Sequence, residues 1–179
     1  DDARKLCDYT GVFGNRPRQE PIVIQIFGES GVGKSGMAWP LAVDLNAACC
    51  SNAEEASQFA RNIYFRNAEQ EFWDGYAGQN VVCYDDFGQS VDSSARPNPE
   101  FMELIRAANL APYPLHMAEL GEKKRTKFSS RVIILSSNVE NPNVSSLTYP
   151  DAFRRRIGIC AKITNKEEYV KECYSKTRN

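Results

Sequence analysis

The sequence has no long apolar run, a single histidine and no paired-cysteine motif. Its longest apolar stretches are Ile22–Ile26, interrupted by Gln25, and Val132–Leu135, far short of the ~20 residues that a membrane-spanning helix needs. His116 and six cysteines without a CxxC spacing do not give the short paired spacings that are typical of zinc sites. We therefore expect free thiols in a reducing compartment and no zinc site.

The chain also lacks an excess of charge of either sign. It has 22 lysines and arginines against 23 acidic residues, a formal net charge of −1, in 179 residues. This balance argues against a polybasic protein that holds nucleic acid by bulk charge, so any such contact must come from a local basic patch. Apolar residues at 42% and charged residues at 25% are typical of an ordinary globular domain.

The sequence begins without a methionine and without a signal-peptide pattern. We interpret it as a piece of a longer chain, with a polar lead-in segment at 1–20 and one domain at 21–179. In that domain apolar strands alternate with helices, which is the pattern of an α/β fold with a mostly parallel sheet covered on both faces. The strands are predicted at 21–27, 62–65, 81–84, 132–135 and 157–163.

A glycine-rich segment follows the first strand directly. Residues 28–35 read GESGVGKS and match the phosphate-binding pattern G-x-x-x-x-G-K-[ST] in its expected place between a buried strand and a helix. Lys34 is expected to reach the β- and γ-phosphates of a nucleotide, and the hydroxyl of Ser35 to bind Mg²⁺. Backbone N–H groups of the loop are expected to surround phosphate oxygens. These loop residues are Gly28, Glu29, Ser30, Gly31, Val32 and Gly33.

The strand predicted at 81–84 ends in two carboxylates, Asp85 and Asp86. Ligands of parallel sheets gather at the carboxyl ends of the strands, so this end should face the phosphates. We expect Asp85 to hold Mg²⁺ through water and Asp86 to polarise the attacking water, although which aspartate acts as the base stays open. Because successive strand residues point to opposite sides, the two roles require a bend, for which Gly88 is the candidate.

Two further candidates for the site, an asparagine and a run of arginines, lie in the C-terminal part of the sequence. Asn138 comes after the strand predicted at 132–135, where it could bond the γ-phosphate or the lytic water, although Asn also suits an ordinary turn. Arg154, Arg155 and Arg156 form a run that is either a solvated or RNA-binding patch or a source of arginine fingers, which stabilise a transferring phosphoryl group. A finger from a neighbouring subunit would make catalysis depend on a ring.

A basic loop is predicted within 119–130. Its basic side chains could contact nucleic-acid phosphates without reading sequence, or the loop could simply be solvated. They are Lys123, Lys124, Arg125 and Lys127. Trp73 and Tyr76, in an aromatic loop at 70–78, could add stacking contacts or serve as packing anchors.

In their order and spacing these motifs resemble those of superfamily 3 helicases, specifically the 2C-type ATPases of picorna-like RNA viruses. The run EFWDGYAGQNVVCYDDFGQ at 71–89 is most similar to dicistrovirus or iflavirus relatives. The resemblance covers about residues 21–165. It rests on that run, on GESGVGKS at 28–35, on HMAELGEKKRTKFSSRVIILSSN at 116–138 and on RRR at 154–156.

The resemblance implies an AAA+-like core that assembles into homo-oligomeric rings, usually hexamers, and hydrolyses ATP with Mg²⁺. It implies action on single-stranded RNA in viral genome replication, beside other viral replication proteins and in membrane-associated complexes of the host cell cytoplasm. The amphipathic membrane-binding segment and the cysteine-rich zinc segment of some relatives do not occur in this sequence. We therefore expect the chain to be part of a polyprotein and to contact membranes only through segments outside it.

The same resemblance assigns roles to individual residues. It matches Lys34 and Ser35 to the Walker A pair, Asp85 and Asp86 to the Walker B pair, and Asn138 to the sensor asparagine. It matches Arg155 and Arg156 to paired arginine fingers, with Arg154 as an extra neighbour, and Lys123 and Lys124 to a motif thought to face nucleic acid.

Other functions stay open. The domain could be an RNA-binding or scaffold module that uses the nucleotide only as a switch, with hydrolysis too slow to drive movement. It could also be the replication helicase of a small DNA virus, since such proteins share this core. A P-loop kinase fits poorly, because the sequence offers no phosphoacceptor site or lid.

Overall fold

A computed structural model of the chain describes residues 17–67, 70–118 and 126–165. The interpretation of 1–16 as part of a lead-in segment concerns residues outside these ranges. So do the roles predicted for Lys123, Lys124 and Arg125. All of these stay predictions.

Five strands form one parallel sheet. They are β1 (Ile22–Phe27), β2 (Ile63–Arg66), β3 (Val81–Tyr84), β4 (Val132–Ser137) and β5 (Ile159–Lys162). Their order is β2-β3-β4-β1-β5, and each neighbouring pair is parallel. Every residue of β3 and β4 is buried, as expected for central strands of a sheet that is covered on both faces. The predicted parallel α/β architecture is confirmed.

The last strand is shorter than the prediction for 157–163. The backbone N–H of Ile157 donates to the carbonyl of Arg154, so this residue belongs to the turn that follows a helix. Pairing with β1 begins at Gly158, whose N–H donates to the carbonyl of Val23. The apolar pattern alone could not separate the end of the turn from the start of the strand.

The described part of the chain contains five helices. They are α1 (Lys34–Cys49), α2 (Ala53–Ser57), α3 (Phe59–Asn62), α4 (Pro99–Ala107) and α5 (Asp151–Arg154). At the start of α4 the Asn98 side chain accepts a hydrogen bond from the N–H of Glu100, and Pro99 takes the first helical position, where its missing N–H costs nothing. None of these helices is long and apolar enough to cross a membrane.

Helices cover both faces of the sheet. On one face α1 packs its small residues Ala38 and Ala42 against Cys83 and Ile134. On the other face the larger side chains of α4 and α5 pack against alternate residues of the same strands, because successive strand residues point to opposite faces. Those side chains are Phe101, Leu104 and Phe153, which share a cluster with Val82, Tyr84, Ile133 and Leu135.

Two aromatic side chains of the loop at 70–78 belong to the core. Trp73 and Tyr76 are only 1% and 3% exposed. The hydroxyl of Tyr76 accepts the N–H groups of Ser129 and Ser130 and also bonds the Ser130 hydroxyl. The packing interpretation of these two aromatic residues is therefore confirmed, and their rings are not available to stack on nucleic-acid bases.

Candidate functional site

The carboxyl ends of β1, β3 and β4 bring the predicted motifs to one edge of the sheet. β4 lies between β1 and β3, so the segments that follow these strands are neighbours. The N–H of Gly28 donates to the carbonyl of Ser137 over 3.3 Å, and the N–H of Phe87 donates to the carbonyl of Ser136 over 2.7 Å. Hydrogen bonds to the end of β4 therefore hold in place both the phosphate loop and the turn that contains Asp85 and Asp86.

The phosphate loop has the backbone that its glycines permit. Gly31 and Gly33 have φ of 82° and 90°, in the left-handed region that glycine adopts without strain. A Cβ at either position would meet no atom within 4 Å, so open space lies in front of the loop. A Cβ at Gly28 would instead lie 2.4 Å from the carbonyl oxygen of Ile163. Close approach of the chain after β5 therefore requires glycine at position 28.

Lys34 is held inside this loop. Its side chain is buried, and its Nζ donates to the carbonyl oxygens of Gly28 at 3.0 Å and Glu29 at 2.8 Å. An ammonium group has three donors, so a phosphate oxygen can take the third. Lys34 is also the first residue of α1, where the helix N-terminus favours an anion.

The two predicted magnesium ligands lie in contact. The hydroxyl of Ser35 donates to Oδ1 of Asp85 over 3.0 Å. Mg²⁺ prefers oxygen ligands and is usually bound by one or two carboxylates together with phosphates and water, so this pair fits a nucleotide-bound magnesium ion. Within the described ranges, no group of three or more His, Cys, Asp or Glu residues could form a metal site from protein ligands alone.

The chain bends sharply at the acidic pair. β3 ends at Tyr84, and Asp86 itself has a φ of 51°, a left-handed conformation that aspartate tolerates better than most residues. The N–H of Asp86 donates to the side chain of Asp85, which supports the turn. Gly88 continues the bend with a φ of 76°. The predicted bend is confirmed, and it begins two residues earlier than the glycine that suggested it.

Glu100 is a residue of this site that the sequence did not reveal. Its Oε2 accepts the N–H of Gly88 at 2.8 Å and the side chain of Asn98 at 3.1 Å. Burial raises the pKa of Glu100, although these two hydrogen bonds act against the shift. In the sequence, Glu100 is explained simply as an acid that favours the N-terminus of a helix. Its hydrogen bond to Gly88 brings together two distant segments and could be found only from the fold.

Gln25 also supports the site, and here the sequence gives a signal. It is the one polar residue in the strand β1, and it is 1% exposed. Its Nε2 donates to the carbonyls of Val139 and Glu140, both at 2.9 Å. A glutamine within an apolar strand thus anchors the segment that follows Asn138. Asn138 is itself half-buried at the end of β4, and its role as a sensor stays a prediction.

The three consecutive arginines have different surroundings. Arg154 pairs with Asp151 at 3.3 Å, and Arg155 is exposed. Arg156 donates from Nε to the carbonyls of Ile105 and Ala108 and from Nη1 to that of Ala152. Burial, and next the charge of Arg155, lower the pKa of Arg156. Arg156 therefore binds the C-terminal end of α4, whereas the side chain of Arg155 is exposed.

The arginine run and the phosphate loop are attached to different parts of the sheet. It packs on the face that carries α4, whereas α1 covers the other face. After the run, Gly158 meets Val23 near the start of β1, five residues before Gly28. Five residues of extended strand span about 16 Å. The turn that follows the arginine run therefore joins the sheet at the end of β1 opposite the phosphate loop, while Phe153, just before the run, contacts Phe87 beside the acidic pair.

The segments on either side of the basic loop, residues 113–115 and 126–128, pair with each other like the two strands of a hairpin. Lys127 forms an isolated antiparallel bridge with Pro114. The N–H of Leu115 donates to the carbonyl of Thr126, and that of Phe128 to the carbonyl of Tyr113. Lys127 is half-buried at this base.

Several viral polyproteins are similar to this chain. The replicase polyprotein of Acute bee paralysis virus (strain Rothamsted) is 63% identical over 173 residues, which are 97% of this chain and 9% of the polyprotein. The replicase polyprotein of Drosophila C virus (strain EB) is 40% identical over 171 residues, 93% of this chain and 10% of the polyprotein. The genome polyprotein of Avian encephalomyelitis virus (strain L2Z) is 40% identical over 152 residues, which are 85% of this chain and 7% of the polyprotein. The chain thus spans a tenth or less of these relatives' length.

A family model, described as RNA helicase, matches residues 24–139. This stretch contains the phosphate loop, the acidic pair and Asn138, and it ends before the arginine run. The resemblance to superfamily 3 helicases of picorna-like viruses is confirmed, and the five-stranded parallel sheet flanked by helices has the expected P-loop NTPase fold. The chain belongs to the RNA helicase family of viral replication polyproteins.

Proposed function

We propose that this domain is the ATPase of a viral superfamily 3 helicase, which couples Mg²⁺-dependent ATP hydrolysis to binding, remodelling or unwinding of RNA in genome replication. The observation that carries the proposal is the contact between Ser35 and Asp85 beside the buried Lys34. A phosphate-binding lysine, a magnesium-binding hydroxyl and a carboxylate at the end of a neighbouring strand are the parts that P-loop NTPases share.

The residues of the chain divide the work of hydrolysis. The ammonium of Lys34 and the backbone N–H groups of the phosphate loop after Gly28 hold the phosphates in place, while the N–H of Gly28 stays bonded to the carbonyl of Ser137. Ser35 and Asp85 would hold Mg²⁺, which would supply positive charge to the phosphates when bound. Asp86 orients the attacking water and accepts its proton. Asn138, at the end of the adjacent strand, positions the same water or the γ-phosphate.

Arg155 completes the site of a neighbouring subunit in a homo-oligomeric ring, most simply a hexamer. Its exposure, and its place before β5, which joins the sheet beside the start of β1 and opposite the end that carries the phosphate loop, support an arrangement in trans. An arginine finger is worth ~10³–10⁵ in rate in NTPases that use one. Arg156 as a second finger stays a prediction, since it would have to exchange its carbonyl contacts on α4 for phosphate.

The basic loop is the proposed contact for single-stranded RNA. Lys123, Lys124, Arg125 and Lys127 lie in one short stretch of a chain whose net charge is −1, so the RNA contact is local. Binding through phosphates releases counterions and should weaken steeply with salt. We place this ATPase beside other viral replication proteins, in membrane-associated complexes of the host cell cytoplasm. The similarity of the chain to viral replicase polyproteins supports this placement.

Lys34→Ala tests the proposal. We expect loss of Mg²⁺-dependent phosphate release from ATP with unchanged circular dichroism, because the substitution removes a phosphate ligand and two hydrogen bonds within one loop but leaves the strands and helices in place. Arg61→Ala, which removes an exposed cation of α3, is the control and should keep full turnover. Full turnover in Lys34→Ala would overturn the assignment. Nucleotide binding without turnover in the wild-type chain would favour a nucleotide-dependent switch instead.

A further inference from the structure

Phe87 and Phe153 join the acidic turn to the arginine run. Phe87 follows Asp86 directly, and Phe153 precedes Arg154. Their rings stack with centroids 5.9 Å apart and planes 6° from parallel. Phe101 of α4 packs edge-on against both, at 5.8 Å and 5.1 Å. Each ring is 1% exposed, so the three form a closed cluster beneath the arginine run.

The two sides of this stack are held differently. Phe87 is fixed to β4 by its backbone: its N–H donates to the carbonyl of Ser136, and its carbonyl accepts the hydroxyl of Ser137. Phe153 belongs to α5, a helix of four residues. So short a helix has little stability of its own, and its place must come from packing. The acidic turn can therefore keep its position without the Phe153 ring, whereas α5 depends on that ring.

Arg155 lies two residues after Phe153 and is followed by an anchored residue. Arg156 holds the end of α4 through the carbonyls of Ile105 and Ala108. The backbone at Arg155 is thus set on one side by a buried ring and on the other by carbonyl contacts. A side chain that must reach across a subunit boundary needs such a fixed origin, because an error of about 1 Å can cost 10²-fold in rate.

We propose that Phe153, seated on Phe87 and Phe101, is a positioning residue that fixes the point from which Arg155 enters the nucleotide site of a neighbouring subunit. The proposal rests on the function proposed above. It implies that Phe153 acts on the partner's catalytic rate and not on ATP binding in its own chain. The phosphate loop and acidic turn that bind the nucleotide have their own attachments to β4.

Mixing two inactive variants of the full chain tests this directly. A Lys34→Ala chain can donate Arg155 but cannot hydrolyse ATP, and an Arg155→Ala chain has a complete phosphate site but no finger. An equimolar mixture should recover part of the wild-type turnover at sites that combine both chains. Phe153→Leu is then added either to the donor or to the acceptor, and kcat and KM for ATP are measured in each mixture.

With Phe153→Leu in the donor, we expect kcat to fall about ten- to a hundredfold with KM unchanged, since a displaced finger loses part of its effect. With Phe153→Leu in the acceptor, we expect both constants to stay within about twofold of the parent mixture, given the separate attachments of the acidic turn to β4. Equal losses in the two arms, or a change in KM alone, would overturn the positioning role.

A matched control separates positioning from general loss of packing. Phe128 is also 1% exposed and lies in the same core cluster, where it packs against Trp73 and Tyr76. Phe128→Leu in the donor should leave the kcat of the mixture within about twofold. A loss equal to that of Phe153→Leu would contradict the proposal.

Failure of the proposed function would look different. A wild-type chain without ATP turnover would overturn the ATPase assignment. An active wild-type chain whose mixed variants recover no turnover would overturn the arrangement in trans, and with it the role of Phe153. Recovery without a donor-specific effect would overturn the role of Phe153 alone.

Discussion

Glu103 on α4 gathers four hydrogen-bond donors inside the protein. Its two oxygens accept Nε and Nη2 of Arg66 at 3.0 Å and 2.9 Å, the hydroxyl of Tyr84 at 2.9 Å and the indole N–H of Trp73 at 3.3 Å. The side chains of Arg66 and Glu103 are only 3% and 12% exposed. One carboxylate therefore ties α4 to the ends of β2 and β3 and to the aromatic loop.

Glu103→Ala should lower the free energy of unfolding by about 3–5 kcal/mol, because it leaves the guanidinium of Arg66 buried without its counter-charge. That is a large part of the ~5–15 kcal/mol that stabilises a typical domain. Glu71→Ala is the control, since Glu71 pairs with His116 at 3.6 Å with both side chains more than half exposed. The control should change stability by less than ~1 kcal/mol.

The assay is urea unfolding followed by circular dichroism, with equal m-values required for the comparison. Replacing both partners, Arg66→Met with Glu103→Met, should recover part of the loss, because no unpaired charge then remains buried. The reasoning is refuted if Glu103→Ala costs less than ~1 kcal/mol, or if the double replacement is no more stable than Glu103→Ala.

Three further predictions concern backbone space, pH and thiol reactivity. Gly28→Ala should lower thermal stability and ATP affinity, because its Cβ would lie 2.4 Å from the carbonyl oxygen of Ile163. Gly36→Ala has open space within α1 and should raise the free energy of unfolding by up to ~1 kcal/mol. A change in stability of the same sign in both variants would contradict this. Burial acts to raise the pKa of Asp92, but N–H donors of Asn98, Ser146 and Ser145 outweigh it and hold that pKa below its ordinary value. Since the folded pKa is the lower one, the stabilisation is full at neutral pH and is lost as the pH falls through the folded pKa, so unfolding measured at a series of acid pH values should show a flatter dependence in Asp92→Asn, and equal slopes would refute it. Burial raises the pKa of the Cys83 thiol to about 12, so maleimide should label exposed Cys160 in the folded protein but Cys83 only after unfolding, and labelling of both at one rate would count against the buried position of Cys83.

The motifs that the sequence reveals are those whose chemistry is local. The phosphate loop is eight consecutive residues, and its function follows from backbone shape and one helix end, so pattern and context are sufficient. Asp85 and Asp86 could be placed at the same edge because the carboxyl ends of parallel strands meet there. The bend between them was predicted from Gly88, although Asp86 takes the left-handed conformation first.

Contacts between distant segments are what the sequence could not supply. The hydrogen bond of Glu100 to Gly88 and the stack of Phe153 on Phe87 join residues 12 and 66 positions apart. No local period marks such pairs. The arginines show the same limit, since three identical residues in a row gave no means of telling the exposed Arg155 from Arg156, which is anchored on α4.

The most direct test of the account is ATP turnover per subunit, measured against chain concentration with Mg²⁺ present. A finger supplied in trans predicts specific activity that climbs steeply as subunits associate. Arg155→Ala should flatten that curve, and Arg154→Ala should keep it, because Arg154 pairs with Asp151 of its own chain. Measurable activity per subunit that stays constant with dilution would contradict the account, since the site would then be complete within one chain.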